Sequence, residues 1–181
     1  LESSADASDS DPGLRHDPED VVLALFTSGT TGTLKAAEHS HGTYCAVVQN
    51  VLTNLIDPKP GDIMLHAASM IHASGTFVVP YWLRGATAAI LPGFSPADYL
   101  AAIERWRPTA LNLVPTMLQM LFQLPETERA DFGSIETILY GASPMPRPVL
   151  ERSLELWGPL FAQYYGQTEA RLAITTLSKH N

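Results

Sequence analysis

One cysteine is too few for a disulfide within the chain. Cys45 stands alone among 181 residues, which excludes an internally stapled secreted scaffold and favours a reducing, cytoplasmic setting. It falls in a helical pattern beside Tyr44 and Val47, where a buried structural thiol is expected rather than a nucleophile. No apolar run approaches the roughly eighteen residues that a membrane-spanning helix needs, and the opening residues do not read as a signal peptide. Positive charge is scarce too: 11 Lys and Arg stand against 19 Asp and Glu, a net charge of −8. Most of that deficit is local. Residues 1–20 hold seven acids (Glu2, Asp6, Asp9, Asp11, Asp17, Glu19, Asp20) and one base, Arg15, so they carry −6 and the rest of the chain only −2. No basic face advertises nucleic acid. With almost nothing apolar to bury, residues 1–20 read as an acidic, flexible segment.

What is present from residue 21 onward is an alternation of short apolar runs and amphipathic ones. "VVLALF" (21–26) is apolar throughout, as expected of a strand covered on both faces. Tyr44, Val47, Val48, Val51, Leu52 and Leu55 then make one helical stripe, ended by "DPKPGD". Strands are predicted at "DIMLHA", "ATAAIL", "TALNLV", "SIETILY" and "LFAQYY". Helices are predicted at "GTFVVPYWLRG", at "PADYLAAIERW" with Ser95 as cap, at "PTMLQMLFQL" and at "RPVLERSLELW". Met117 and Met120 are expected in the core, with an apolar pocket wall as the alternative. The alternation implies an α/β fold, with a mostly parallel sheet and crossover helices. In such sheets ligands collect at the carboxyl ends of strands. Three of these ends carry polar, Gly-rich sequence: "TSGTTGTLK", "GASP" and "GQTE".

The first of these is dense in donors. Backbone N–H groups at Gly29 and Gly32, hydroxyls at Thr27, Ser28, Thr30 and Thr31, and the Lys35 ammonium suit phosphate oxygens. It is not the ordinary P-loop, because Gly29 is followed by Gly32 and the lysine comes three residues later, before Ala36. The two-glycine dinucleotide fingerprint fails as well. His39 and His41, without further ligands nearby in sequence, do not suggest a metal site.

Together, "FTSGTTGTLKAAEHSH", "MIHASG", "YGASP" and "YYGQTEA" resemble, in order and spacing, the signatures of the adenylate-forming enzymes. The stretch "GATAAILPGFSPADYLAAIERWRPTALNLVPTMLQMLFQLP" looks most like their acyl-CoA synthetase branch. The resemblance implies an ATP-dependent ligase. A carboxylic acid, fatty acids included, attacks ATP to give an acyl-adenylate and pyrophosphate, and CoA then takes the acyl group. Residues 21–181 would be part of the AMP-binding domain. The competing readings are a peptide-synthetase-type adenylation domain and a non-catalytic ATP- or AMP-binding module.

Carried onto this chain, the resemblance makes Thr27, Ser28, Gly29, Thr30, Thr31, Gly32 and Lys35 the phosphate loop. His72 would stand near the acyl group, although by itself it reads as a hydrogen-bonded residue at a helix start. Gly141, Ala142 and Ser143 would line the adenine pocket. Tyr165, with Gly166 beside it, would stack on adenine; alone, Tyr165 reads as core. Thr168 would bond phosphate and Glu169 would hold Mg²⁺, a hard cation that prefers such oxygens. Lys35, His72, Thr168 and Glu169 are thus the expected catalytic set. The chain departs from the family pattern at Leu34, usually Pro, and at Ala36, often Gly, so weaker order is expected at the loop exit. An upstream subdomain, a ribose-binding aspartate and a C-terminal domain with a catalytic lysine are implied outside these 181 residues. The segment alone is therefore expected to be inactive.

Overall fold

The computed structural model describes residues 10, 11, 13–28 and 34–179, with Ser28 and Leu34 described for their backbone only. β1 (Val21–Ser28) and β2 (Leu34–Ser40) form an antiparallel hairpin, followed by α1 (His41–Asn54). The remaining strands are β3 (Ile63–His66), β4 (Thr87–Ile90), β5 (Ala110–Leu113), β6 (Thr137–Tyr140), β7 (Phe161–Tyr165) and β8 (Thr175–Leu177). They make one sheet in the order β4-β3-β5-β6-β7-β8, parallel except for β8. A 3₁₀ turn (Ala73–Phe77) running into α2 (Val78–Leu83) links β3 to β4, and α3 (Pro96–Trp106) links β4 to β5. α4 (Pro115–Leu121) links β5 to β6, and α5 (Arg147–Trp157) links β6 to β7.

Side chains alternate across this sheet with the period of two that a pleated strand imposes. Leu65, Leu111, Leu113, Ile138 and Phe161 face one way, onto Tyr99, Ile103, Met117 and Leu118 of α3 and α4. Trp157 at the end of α5 closes that layer against Phe132 and Phe122, with ring centroids 4.6 and 5.6 Å away. Met64, Ala110, Leu139, Ala162 and Tyr164 face the other way, onto Val51, Phe77 and Tyr81. α3 starts where Ser95 caps it and Pro96 fixes φ, the Ser95 hydroxyl accepting from the Asp98 amide at 3.5 Å.

Four expectations are corrected. The run 21–26 is a strand, but it pairs only with β2, outside the six-stranded sheet, and Val21, Val22 and Phe26 are 54, 42 and 70 % exposed. Apolar continuity specifies extended backbone, not the layer that covers it. Cys45 is exposed, because it lies off the stripe that buries Val48 and Val51 on α1. Met117 is buried, whereas Met120 points off the buried side of α4 and is 43 % exposed. Tyr165, which alone reads as core, is 47 % exposed, since β7 alternates and Tyr164 takes the buried position.

Candidate functional site

The motifs meet at the carboxyl ends of β3, β6 and β7, with the hairpin laid against them. Two of the motif glycines have a steric reason. A Cβ on Gly75 would lie 1.9 Å from the Met70 carbonyl oxygen, so the "HASG" turn closes only without a side chain. At the end of β6, a Cβ on Gly141 would lie 2.4 Å from the Tyr164 carbonyl oxygen and 2.5 Å from its ring. That ring reaches across from β7 over Gly141 to β5, where the buried Asn112 Nδ2 donates to the Tyr164 hydroxyl at 3.0 Å. Burial raises the Tyr164 pKa, only partly offset by the Asn112 bond, so the phenol stays protonated. Ala142 follows in the left-handed region at φ 65°, a conformation that costs a side-chain-bearing residue about 1 kcal/mol. It turns the chain out of the sheet so that Ser143 is exposed.

Long-range hydrogen bonds from two side chains, His39 and Arg171, assemble the rest. His39 of β2 is buried, and its Nε2 donates to the Thr168 carbonyl at 2.8 Å, which ties the hairpin to the "GQTE" loop and fixes the ring tautomer. Arg171 Nη2 donates to Thr76 Oγ1 at 2.7 Å and to the His72 carbonyl at 3.2 Å, joining the same loop to the 3₁₀ turn. Its guanidinium also lies 5.8 Å from the Tyr44 ring centroid. Partial burial lowers the Arg171 pKa, but an arginine remains a cation there.

Between these elements lies a cavity of about 330 Å³ whose lining includes His72, Ala142, Tyr164, Gly166, Thr168 and Arg171. A second cavity of about 480 Å³, with Phe26, Tyr44 and Met70 in its wall, shares Leu25, His72, Thr168 and Arg171 with the first. So His72, Ala142, Gly166 and Thr168 are brought together, as expected. His72 caps the 3₁₀ turn without a side-chain hydrogen bond, and its ring is exposed rather than engaged at a helix start. Gly141 lies beneath the cavity, buried under Tyr164. Glu169 is exposed, and no basic side chain pairs with it among the described residues. Thr27 and Lys35 face each other across the hairpin, where Thr27 Oγ1 approaches the Lys35 carbonyl at 3.5 Å. Gly29, Thr30, Thr31 and Gly32 lie outside the described residues, as does the Ser28 side chain. Leu34 and Ala36 sit in regular register with Ser28 and Phe26, an extended geometry that requires neither proline nor glycine.

Residues 1–181 match the AMP-binding enzyme family over their whole length. The chain belongs to that family. It is 35% identical over 162 residues to the medium/long-chain-fatty-acid–CoA ligase FadD8 of Mycobacterium tuberculosis, covering 90% of this chain and 28% of that protein. It is 35% identical over 175 residues to a feruloyl-CoA synthase of Amycolatopsis, covering 96% and 35%. The o-succinylbenzoate CoA synthetase of Bacillus subtilis in complex with AMP superposes with a TM-score of 0.79 at 32% identity, over 91% of this chain and 34% of that one. This AMP-binding enzyme segment therefore spans about a third of the length of the relatives it matches. Among the described residues, no helix is long and apolar enough to cross a membrane, and no cluster of three potential metal-binding side chains occurs.

Sequence reasoning missed His39, Asn112, Tyr164 and Arg171. In the structure the half-buried Ala37 and buried His39 alternate with the exposed Ala36 and Glu38, but "LKAAEHS" carries too little apolar alternation to mark His39. Nothing local marks the other three.

Proposed function

We propose that this segment forms the phosphate- and acyl-binding face of a carboxylate–CoA ligase. The observation that carries the reading is the shared cavity, where the strand ends bearing Ala142, Gly166 and Thr168 meet His72 and the hairpin is tied in through His39. In the first half-reaction a substrate carboxylate oxygen bonds to the α-phosphorus of ATP as the bond to pyrophosphate breaks. In the second, the CoA sulfur bonds to the acyl carbon, AMP leaves, and the thiol proton passes to solvent. The segment's part is positioning and charge stabilisation, the terms that dominate phosphoryl-type chemistry.

Thr27 and Lys35, register partners across the hairpin, serve the β and γ phosphates through hydroxyl and ammonium, with the residues of the connecting loop. Gly141, Ala142 and Ser143 form the wall for adenine, and the exposed ring of Tyr165 offers it a stacking face beside Gly166. Thr168 bonds phosphate. The Glu169 carboxylate, exposed and without a basic partner among the described residues, fits Mg²⁺, which would neutralise polyphosphate charge when bound. The His72 ring, on the wall between the two cavities, faces the acyl group. A reducing compartment such as the cytoplasm suits a chain with one cysteine.

The test is acid-dependent ATP–pyrophosphate exchange, followed by thioester formation, in the polypeptide that carries this segment with its flanking sequence. Exchange followed by acyl transfer to CoA supports the reading; transfer only to a carrier protein, or nucleotide binding without exchange, overturns it. Residues 1–181 alone are expected to show no exchange. Glu169→Gln is expected to raise the Mg²⁺ concentration for half-maximal exchange about tenfold, because one ligand charge is lost. An unchanged Mg²⁺ dependence refutes that role.

A further inference from the structure

Arg171 has more positive charge than its surroundings use. The four ion pairs among the described residues are Lys59–Asp57, Arg107–Asp131, Arg147–Glu151 and Arg152–Glu128, all at the surface and none involving Arg171. Its hydrogen-bond partners, the His72 carbonyl and the Thr76 hydroxyl, are neutral, and both fall to Nη2. Thr76 is fully buried, so this anchor is rigid. The fork is held from one side, and it stands in the wall common to both cavities beside His72 and Thr168. A partly desolvated guanidinium with neutral partners and spare N–H donors suits a carboxylate or a phosphate; in the second cavity, walled by Leu25, Phe26 and Met70, an organic acid is the better fit.

We propose that the acid activated at this site carries a second anionic group, and that Arg171 binds that remote group rather than the carboxylate that attacks ATP. The inference rests on the ligase reading above and narrows its substrate class to dicarboxylic acids. A fixed arginine fork on the attacking carboxylate would stabilise its ground state and blunt its nucleophilicity. On the non-reacting end the same contact orients the acid and leaves the attacking oxygen free. The remainder of the site is consistent with this division. The Tyr164 hydroxyl is engaged by Asn112, and the second cavity's walls at Leu25, Phe26 and Met70 are apolar, so among the described residues Arg171 is the strongest anion partner facing both spaces.

The experiment compares matched acids in the full-length ligase that carries this segment: hexanoate with adipate, octanoate with suberate, and phenylacetate with homophthalate. At least one diacid is expected to give a kcat/KM for pyrophosphate exchange about tenfold or more above its monoacid. Arg171→Gln, which also loses the tie to Thr76, should lower the diacid value about tenfold or more beyond its effect on the matched monoacid, with Arg171→Lys intermediate because the charge stays and the fork is lost. Equal losses on both members of a pair would make Arg171 a structural tie and overturn the proposal. So would a wild-type preference for monoacids throughout, a result that needs no variant to fold. Exchange with no acid at all would overturn the ligase reading itself, and this inference with it.

Discussion

Gly141→Ala is expected to destabilise the fold by about 4 kcal/mol, most of an ordinary domain's margin. The added methyl would sit 2.4 Å from the Tyr164 carbonyl and 2.5 to 2.6 Å from two ring carbons. The carbonyl belongs to β7, whose register against β6 is set by Ile138–Phe161, Leu139–Ala162 and Tyr140–Gln163, so it moves only if the ladder moves. Overpacking of this kind costs about 1–3 kcal/mol. The ring would also be lifted from Asn112, whose amide is 1 % exposed and has the Tyr164 hydroxyl as its partner; stranding a buried donor costs about 1–3 kcal/mol more. Tyr164→Phe removes only the second contribution and should cost about 1–3 kcal/mol. Urea unfolding of wild type, Gly141→Ala and Tyr164→Phe separates the two. Equal stability of wild type and Gly141→Ala would mean that the ring does not cross β6 as described.

That cost also bears on the meaning of the "YGASP" motif. Its glycine lets a tyrosine from the next strand lie across the sheet and floor the cavity, and the left-handed alanine after it turns the wall outward. The glycine is a packing requirement, whatever it does toward adenine.

The helices were legible because their signals are local. "PADYLAAIERW" and "RPVLERSLELW" coincide with α3 and α5 to the residue, each with proline in its first turn and an apolar stripe at helical spacing. The parallel strands were legible as apolar runs between those helices. β2 and β8 were not: "LKAAEHS" has little apolar alternation and "TTL" is too short, and both are strands because a neighbouring backbone pairs with them. The site divides the same way. Its motifs lie at strand ends, where the fold class places ligands. The bonds that join them link residues 129 positions apart in His39–Thr168 and 99 apart in Arg171–His72, and no local pattern encodes such pairs.

The second large effect is one of pH, and it lies below the site at His66. This residue ends β3 on the face that carries Met64, fully buried, with Nδ1 at 2.8 Å from Ser74 Oγ and Nε2 without a partner among the described residues. Desolvation alone pushes its pKa down from 6.5 to about 4. The folded state therefore refuses a proton that the unfolded chain accepts below pH 6.5. Stability contributed by the neutral ring is complete above that pH, is lost as pH falls toward 4, and changes no further once both states are protonated. The interval corresponds to about 3 kcal/mol, with a slope near 1.4 kcal/mol per pH unit in its middle. Urea unfolding at steps between pH 7 and pH 4 should show this slope in wild type in excess of His66→Gln, which removes the titrating group. The His66 imidazole resonance should titrate near pH 4 in the folded protein. A midpoint near 6.5, or parallel pH profiles for wild type and variant, would show that solvent reaches the ring. Because Ser74 lies within the 3₁₀ turn that His72 caps, protonating His66 pushes against the turn that Arg171 anchors. Loss of the cavity lined by His72 and Arg171 is thus expected to accompany the loss of stability below pH 5.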